Sequence, residues 1–136
     1  MDKASAPLTG VWDGLYRYPA GIRTPESVFT AVLFDSGGTL SGTIHETMKL
    51  GSHEIPASAF LEGRVAGEAV TFLKTYDGTG GQSHSVSYDG TLGAGGNEIE
   101  GEWRIHADFG VMTGRFLMIR ARGTAKAKRT RKAEKV

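Results

Sequence analysis

The sequence predicts an all-β protein: an eight-stranded antiparallel up-and-down β-barrel followed by a disordered basic C-terminal tail. Three observations predict it. Short segments rich in Val, Ile, Thr, Phe, Tyr and Trp recur between glycine-containing turns. None carries an apolar i, i+3, i+4 pattern over helical length. Eight such segments can be counted, the number that closes a small antiparallel barrel whose interior holds one small ligand. A chain of 136 residues fits one domain at about 100–200 residues per domain, divided here into a barrel over 1–123 and a tail over 124–136.

The segments follow one another as Leu8–Tyr18, Val28–Phe34, Thr39–Glu46, Ala59–Val65, Ala69–Tyr76, His84–Leu92, Glu98–His106 and Thr113–Arg122. Their connections alternate in length. DSGG (Asp35–Gly38), AGE (Ala66–Glu68) and GAGGN (Gly93–Asn97) are tight hairpin lengths. Pro19–Ser27, Thr47–Ser58, Asp77–Ser83 and Ala107–Met112 read as longer loops. In a meander, alternate connections fall at one end, so the four longer loops frame a mouth at the ends of the first, third, fifth and seventh strands. Function usually sits on such loops.

Twenty glycines, about 15% of the chain and double the usual share, form no G-X-Y repeat. Four of them sit mid-strand between large apolar residues: Trp12-x-Gly14-x-Tyr16, Leu40-x-Gly42-x-Ile44, Leu61-x-Gly63-x-Val65 and Ile99-x-Gly101-x-Trp103. Strand side chains alternate faces, so each glycine shares a face with its large neighbours. Glycine weakens a strand unless the sheet bends sharply or a side chain packs over the backbone, which suggests a tightly curved barrel.

Composition excludes several classes. No cysteine is present, so there is no disulfide framework, thiolate metal site or cysteine nucleophile. No apolar run approaches the roughly 18 residues of a helical membrane span, and MDKASAPLTG lacks a signal-peptide layout; a soluble, cytoplasmic protein is expected. The net charge of +1 divides into −4 over residues 1–123 and +5 over 124–136 (TAKAKRTRKAEKV). The tail has no apolar periodicity to bury and reads as a solvated segment. Without interleaved aromatics or a basic face on the body, nucleic acid is not an expected partner.

The first strand reads Gly10-Val11-Trp12, and the last carries Arg120 and Arg122 after Phe116–Ile119. In these features the ends of the body resemble the calycin superfamily, the lipocalin, fatty-acid-binding and avidin-like barrels. The resemblance implies that Trp12 packs at the closed end under an arginine, and Arg120 shares parity with Phe116 and Met118. Arginine over indole combines cation–π attraction with hydrogen bonds to turn carbonyls. LTGVWDG and GGTLSGTI look like the opening of the avidins, but no biotin-contact pattern follows residue 50. Leu40–Glu46 and Phe72–Gly78 resemble a bacterial family within this superfamily.

Extending each strand's inward parity toward the mouth gives Tyr16 and Tyr18, Glu46, Lys74 and Tyr76 beyond Phe72, His84 before Tyr88, and Ile105 after Trp103. Polar groups convergent over an apolar floor describe a small-molecule site, so these residues are the expected site of a small, partly apolar ligand bound without covalent chemistry. Glu46 and Lys74 are expected to pair. Two alternatives stand beside this: an isomerase- or hydrolase-type barrel using Glu46, Tyr76 or His84 for proton transfer, and a filled barrel serving as an assembly module. No cofactor or catalytic residue is assigned. His45, His53, His84 and His106 lie on separate elements without metal-ligand spacing. Outward parity leaves Leu117, Ile119, Val11 and Leu15 outside, beside either Phe29 and Leu33 or Val32 and Phe34; such a patch marks association, and a homo-oligomer is expected.

Overall fold

A computed structural model describes residues 7–121 except Arg23, Pro25, Gly51 and Phe109, and leaves out the side chains of Met48, Lys49, Leu50 and Ala94. The tail over 124–136 and Arg122 lie outside the described residues. Eight strands run in order: β1 (Gly10–Arg17), β2 (Ser27–Ser36), β3 (Thr39–Leu50), β4 (His53–Ala66), β5 (Ala69–Tyr76), β6 (Ser85–Leu92), β7 (Glu98–Ala107) and β8 (Gly110–Arg120). Each pairs antiparallel with the next, and β8 pairs with β1, closing the barrel. The only helical elements among the described residues are short 3-10 turns at Thr79–Gly81 and Ala94–Gly96, and no helix is long and apolar enough to cross a membrane.

Inward parity is strict. β5 alternates exposed and buried along its whole length, with Val70, Phe72, Lys74 and Tyr76 inside. β2, apolar on both faces, turns Phe29, Ala31 and Leu33 inward and leaves Val28 and Phe34 exposed. Its side-chain volumes decide this, because Gly14 and Gly42 lie opposite Phe29 and Leu33. The ring of Phe29 occupies the space that a Cβ on Gly14 would need. On Gly42, Gly63 and Gly101 a Cβ would meet the carbonyl oxygen of Val32, Thr71 and Asp89 on the adjacent strand. The mid-strand glycines are the points of closest approach between neighbouring backbones, where a barrel of eight strands coils most tightly.

The loop pattern departs from expectation at two places. Thr47–Ser58 is not a loop: β3 continues to Leu50 and β4 begins at His53, with Thr47↔Pro56 and Leu50↔His53 in register. β2 stops pairing at Glu46 and β5 at Ala59, so Thr47–Leu50 and His53–Ser58 form a two-stranded flap beyond the rim. Pro56 disguised it in the sequence. Proline lacks the N–H of a ladder bond and suits a strand only where one side is unpaired, as here. Ala107–Met112 is likewise a tight turn, with Ala107↔Gly110 paired. The mouth is therefore framed by two long connections, between β1 and β2 and between β5 and β6, and by the flap.

At the opposite end the residues before β1 cross the barrel. Leu8 is 1% exposed, and its N–H donates to Asp35 Oδ2 at 3.0 Å while Asp35 Oδ1 accepts from the Gly38 N–H in the β2–β3 turn. The Trp12 indole N–H donates to the Leu8 carbonyl at 2.9 Å. The Arg120 guanidinium lies 4.6 Å from the Trp12 ring centroid and donates to the carbonyls of Thr9, Pro7 and Gly96.

Candidate functional site

Among the described residues, Glu46 and Lys74 are the buried charged ones, 4% and 1% exposed among aromatic and aliphatic neighbours. Each is the next inward position after an apolar run, Leu40–Gly42–Ile44 on β3 and Val70–Phe72 on β5, so strand alternation alone places both inside. Their heads meet: Lys74 Nζ donates to Glu46 Oε2 at 3.1 Å. Glu46 Oε1 accepts from the hydroxyls of Tyr16 at 2.9 Å and Tyr76 at 2.6 Å. The ammonium also faces the rings of Tyr76, Tyr16 and Tyr88, with centroids 4.6, 4.9 and 5.3 Å away, within reach of cation–π attraction. Four strands thus contribute to one polar layer.

Beneath this layer the barrel is packed with aromatic rings. Phe72 stacks on Tyr88 at 4.7 Å, and Phe116 meets both edge-on. Toward the mouth, Trp103 and Tyr18 form a T-shaped pair at 5.5 Å, and Tyr18, Ile105 and Met112 lie partly buried against the core. The Trp103 indole N–H donates to the Arg17 carbonyl at 3.0 Å, spanning β8 to reach β1. Gly114 makes this possible, since a Cβ there would strike the indole. It is a mid-strand glycine of the same form, Met112-x-Gly114-x-Phe116, beyond the four that the sequence analysis singled out.

His84 is the site residue placed differently from expectation. It precedes β6 and is exposed, with one ring face against Tyr76 at 4.7 Å between centroids. The Tyr76 ring stands between it and Glu46, so the two do not form a hydrogen-bonded acid–base pair. Partial burial, with the nearby Lys74 charge, holds its imidazole below the ordinary value of 6.5. Burial also lowers the Lys74 ammonium from its usual range, against the opposing pull of Glu46. Burial raises the phenols of Tyr16, Tyr18, Tyr76 and Tyr88, and the Glu46 carboxylate adds to each.

The flap and the β5–β6 connection touch above this end. The 3-10 turn at Thr79–Gly81 brings Gly80 against the backbone of Pro56 and the side chain of Ile55, and the Asp77 N–H donates to the Ser58 carbonyl at 3.0 Å. Among the described residues no group of three or more His, Asp or Glu is gathered to hold a metal. A groove of about 420 Å³ on the outside of β6, β7 and β8 is lined by Asp89, Glu98, Glu100, Glu102 and Arg115. Its ion pairs are exposed, with Arg115 3.8 Å from Glu100 and 4.0 Å from Glu102, and it is a solvated face remote from the interior layer. Of the outward residues expected at an interface, Val11 is exposed, and Leu15, Leu117 and Ile119 are half-buried.

No family model matches the chain, and no curated protein matches it in sequence.

Proposed function

We propose that this is a calycin-like barrel that binds a small, partly apolar ligand at the flap end, without covalent chemistry. The observation that carries the reading is the buried Glu46–Lys74 pair with its two tyrosine donors. Replacing a buried ion pair by apolar residues of similar volume is often neutral or stabilising. A barrel serving stability alone has no need of it, and this one carries it near the rim rather than at the closed end. The layer then acts as a polar floor. Tyr18, Trp103, Ile105 and Met112 form an apolar wall above it, and the flap and the Asp77–His84 connection supply the cover.

Binding is favoured over proton transfer because both Glu46 oxygens are already engaged by three donors. Such a carboxylate is held in place rather than poised to accept a proton. Phe72, Tyr88 and Phe116 pack together below Lys74, so the proposed ligand would sit on the flap side of that layer.

Titration with 1-anilinonaphthalene-8-sulfonate, followed by its fluorescence, tests this. Saturable micromolar binding is expected, weakened at least tenfold, about 1.4 kcal/mol, in Tyr18→Ala and His84→Ala. A non-saturating response, or saturable binding untouched by both substitutions, contradicts the proposal.

A further inference from the structure

One side of the barrel's outer face is acidic. β7 turns Glu98, Glu100 and Glu102 outward at alternate positions, and β6 sets Asp89 directly opposite Glu102 in register. Like charges directly opposed across an antiparallel pair are destabilising. With Arg115 of β8, these four carboxylates line the groove of about 420 Å³, so four negative groups share one guanidinium. Arg115 reaches Glu100 and Glu102 at 3.8 and 4.0 Å. Among the described residues, Asp89 and Glu98 have no ion-pair partner.

The opposite charge belongs to the segment that leaves this face. β8 ends at Arg120, whose backbone N–H donates to the Asn97 carbonyl at 2.9 Å, one position beyond the Ile119↔Glu98 pair. Fifteen residues follow Ala121, and over 124–136 Lys126, Lys128, Arg129, Arg131, Lys132 and Lys135 are set against one acidic residue, Glu134. An extended chain spans at most about 3.3–3.6 Å per residue, so residues 122–125 reach about 13 Å. That exceeds the ~4.8 Å between β8 and β7, and the span from Glu98 to Glu102, about 14 Å, is matched by 126–132.

We infer that the basic segment 124–136 folds back over the outer face of β6, β7 and β8 and docks in this groove within its own chain, its lysines and arginines against Asp89, Glu98, Glu100 and Glu102. Single exposed ion pairs are weak. The docking rests on several formed together under a short tether, which sets the effective concentration of the segment in the millimolar range. The segment of a second copy lacks that advantage at micromolar protein. Docked, the segment withholds both its own cations and the carboxylates of the groove from other partners. The inference is independent of the ligand reading, which concerns the flap end of the interior.

Zero-length carbodiimide coupling of the full chain at micromolar concentration, read by peptide mass mapping, tests it. Amide links are expected between Glu98, Glu100 or Glu102 and Lys126, Lys128 or Lys132 in material of monomer mass. Their yield is expected to be at least fivefold above that of links from the same lysines to Glu62, exposed on β4. Raising the salt from about 20 mM to about 500 mM shortens the screening length from about 20 Å to about 4 Å and is expected to remove this excess. Amide NMR gives a second reading. In Lys126→Gln/Lys128→Gln/Arg129→Gln/Arg131→Gln, the Glu98–Glu102 signals are expected to differ from the wild type at low salt and to coincide with it at high salt. Links to Glu62 as frequent as those to β7, links only between copies at dimer mass, or Glu98–Glu102 signals indifferent to the tail variant overturn the inference.

Discussion

Glu46 stands where the inward row of β3 stops being apolar, and everything local to the site follows from how its charge is met. Two phenol donors and one ammonium satisfy the carboxylate at 2.6, 2.9 and 3.1 Å. Removing one partner of a buried pair strands the other, at a cost of about 3–5 kcal/mol, whereas removing both costs far less. Urea unfolding should therefore show Lys74→Met losing about that much. Glu46→Gln/Lys74→Met should lose much less, since Gln still accepts from the two hydroxyls. Equal losses in the single and double variants would show that the pair is not coupled.

Strands are the scale at which the sequence was most legible. Alternation placed Tyr16, Glu46, Phe72, Lys74, Tyr76, Tyr88 and Trp103 on the inside without knowledge of the register, because parity depends only on the backbone pleat. The flap was not legible: its information lies in missing neighbours, and Pro56 reads locally as a break. His84 was misplaced for a related reason, since parity holds only within a strand and β6 begins one residue later. The mid-strand glycines give the element-scale prediction. Gly63→Ala would drive a methyl into the Thr71 carbonyl and the Phe72 backbone, so it should destabilise by about 2 kcal/mol or more. Ala in place of the exposed turn glycine Gly81, which has open space around it, should lose only the smaller penalty of its φ of 81°. Matched thermal melts of the two variants compare them directly.

Across the whole molecule, all four tyrosines of the chain lie inside or against the barrel core, and all four have raised phenol pKa values. The native state then keeps protons that the unfolded chain releases near pH 10. Because the native state binds more protons in that range, stability falls as pH rises above about 10. Absorbance at 295 nm should show no tyrosinate in the native protein through pH 10, and then a cooperative rise with unfolding. A gradual appearance of one or more equivalents while circular dichroism stays native would contradict the burial of this layer.

The central claim is that the flap end, above the Glu46–Lys74 layer, receives a small molecule. The most direct test is a two-dimensional amide and indole NMR spectrum recorded while 1-anilinonaphthalene-8-sulfonate is added. The account predicts saturable shifts at Tyr18, His84, Ile105 and the Trp103 indole, with β6–β8 outer-face signals such as Glu100 unmoved. Shifts confined to that outer groove, or none at the flap end at saturating probe, would contradict it.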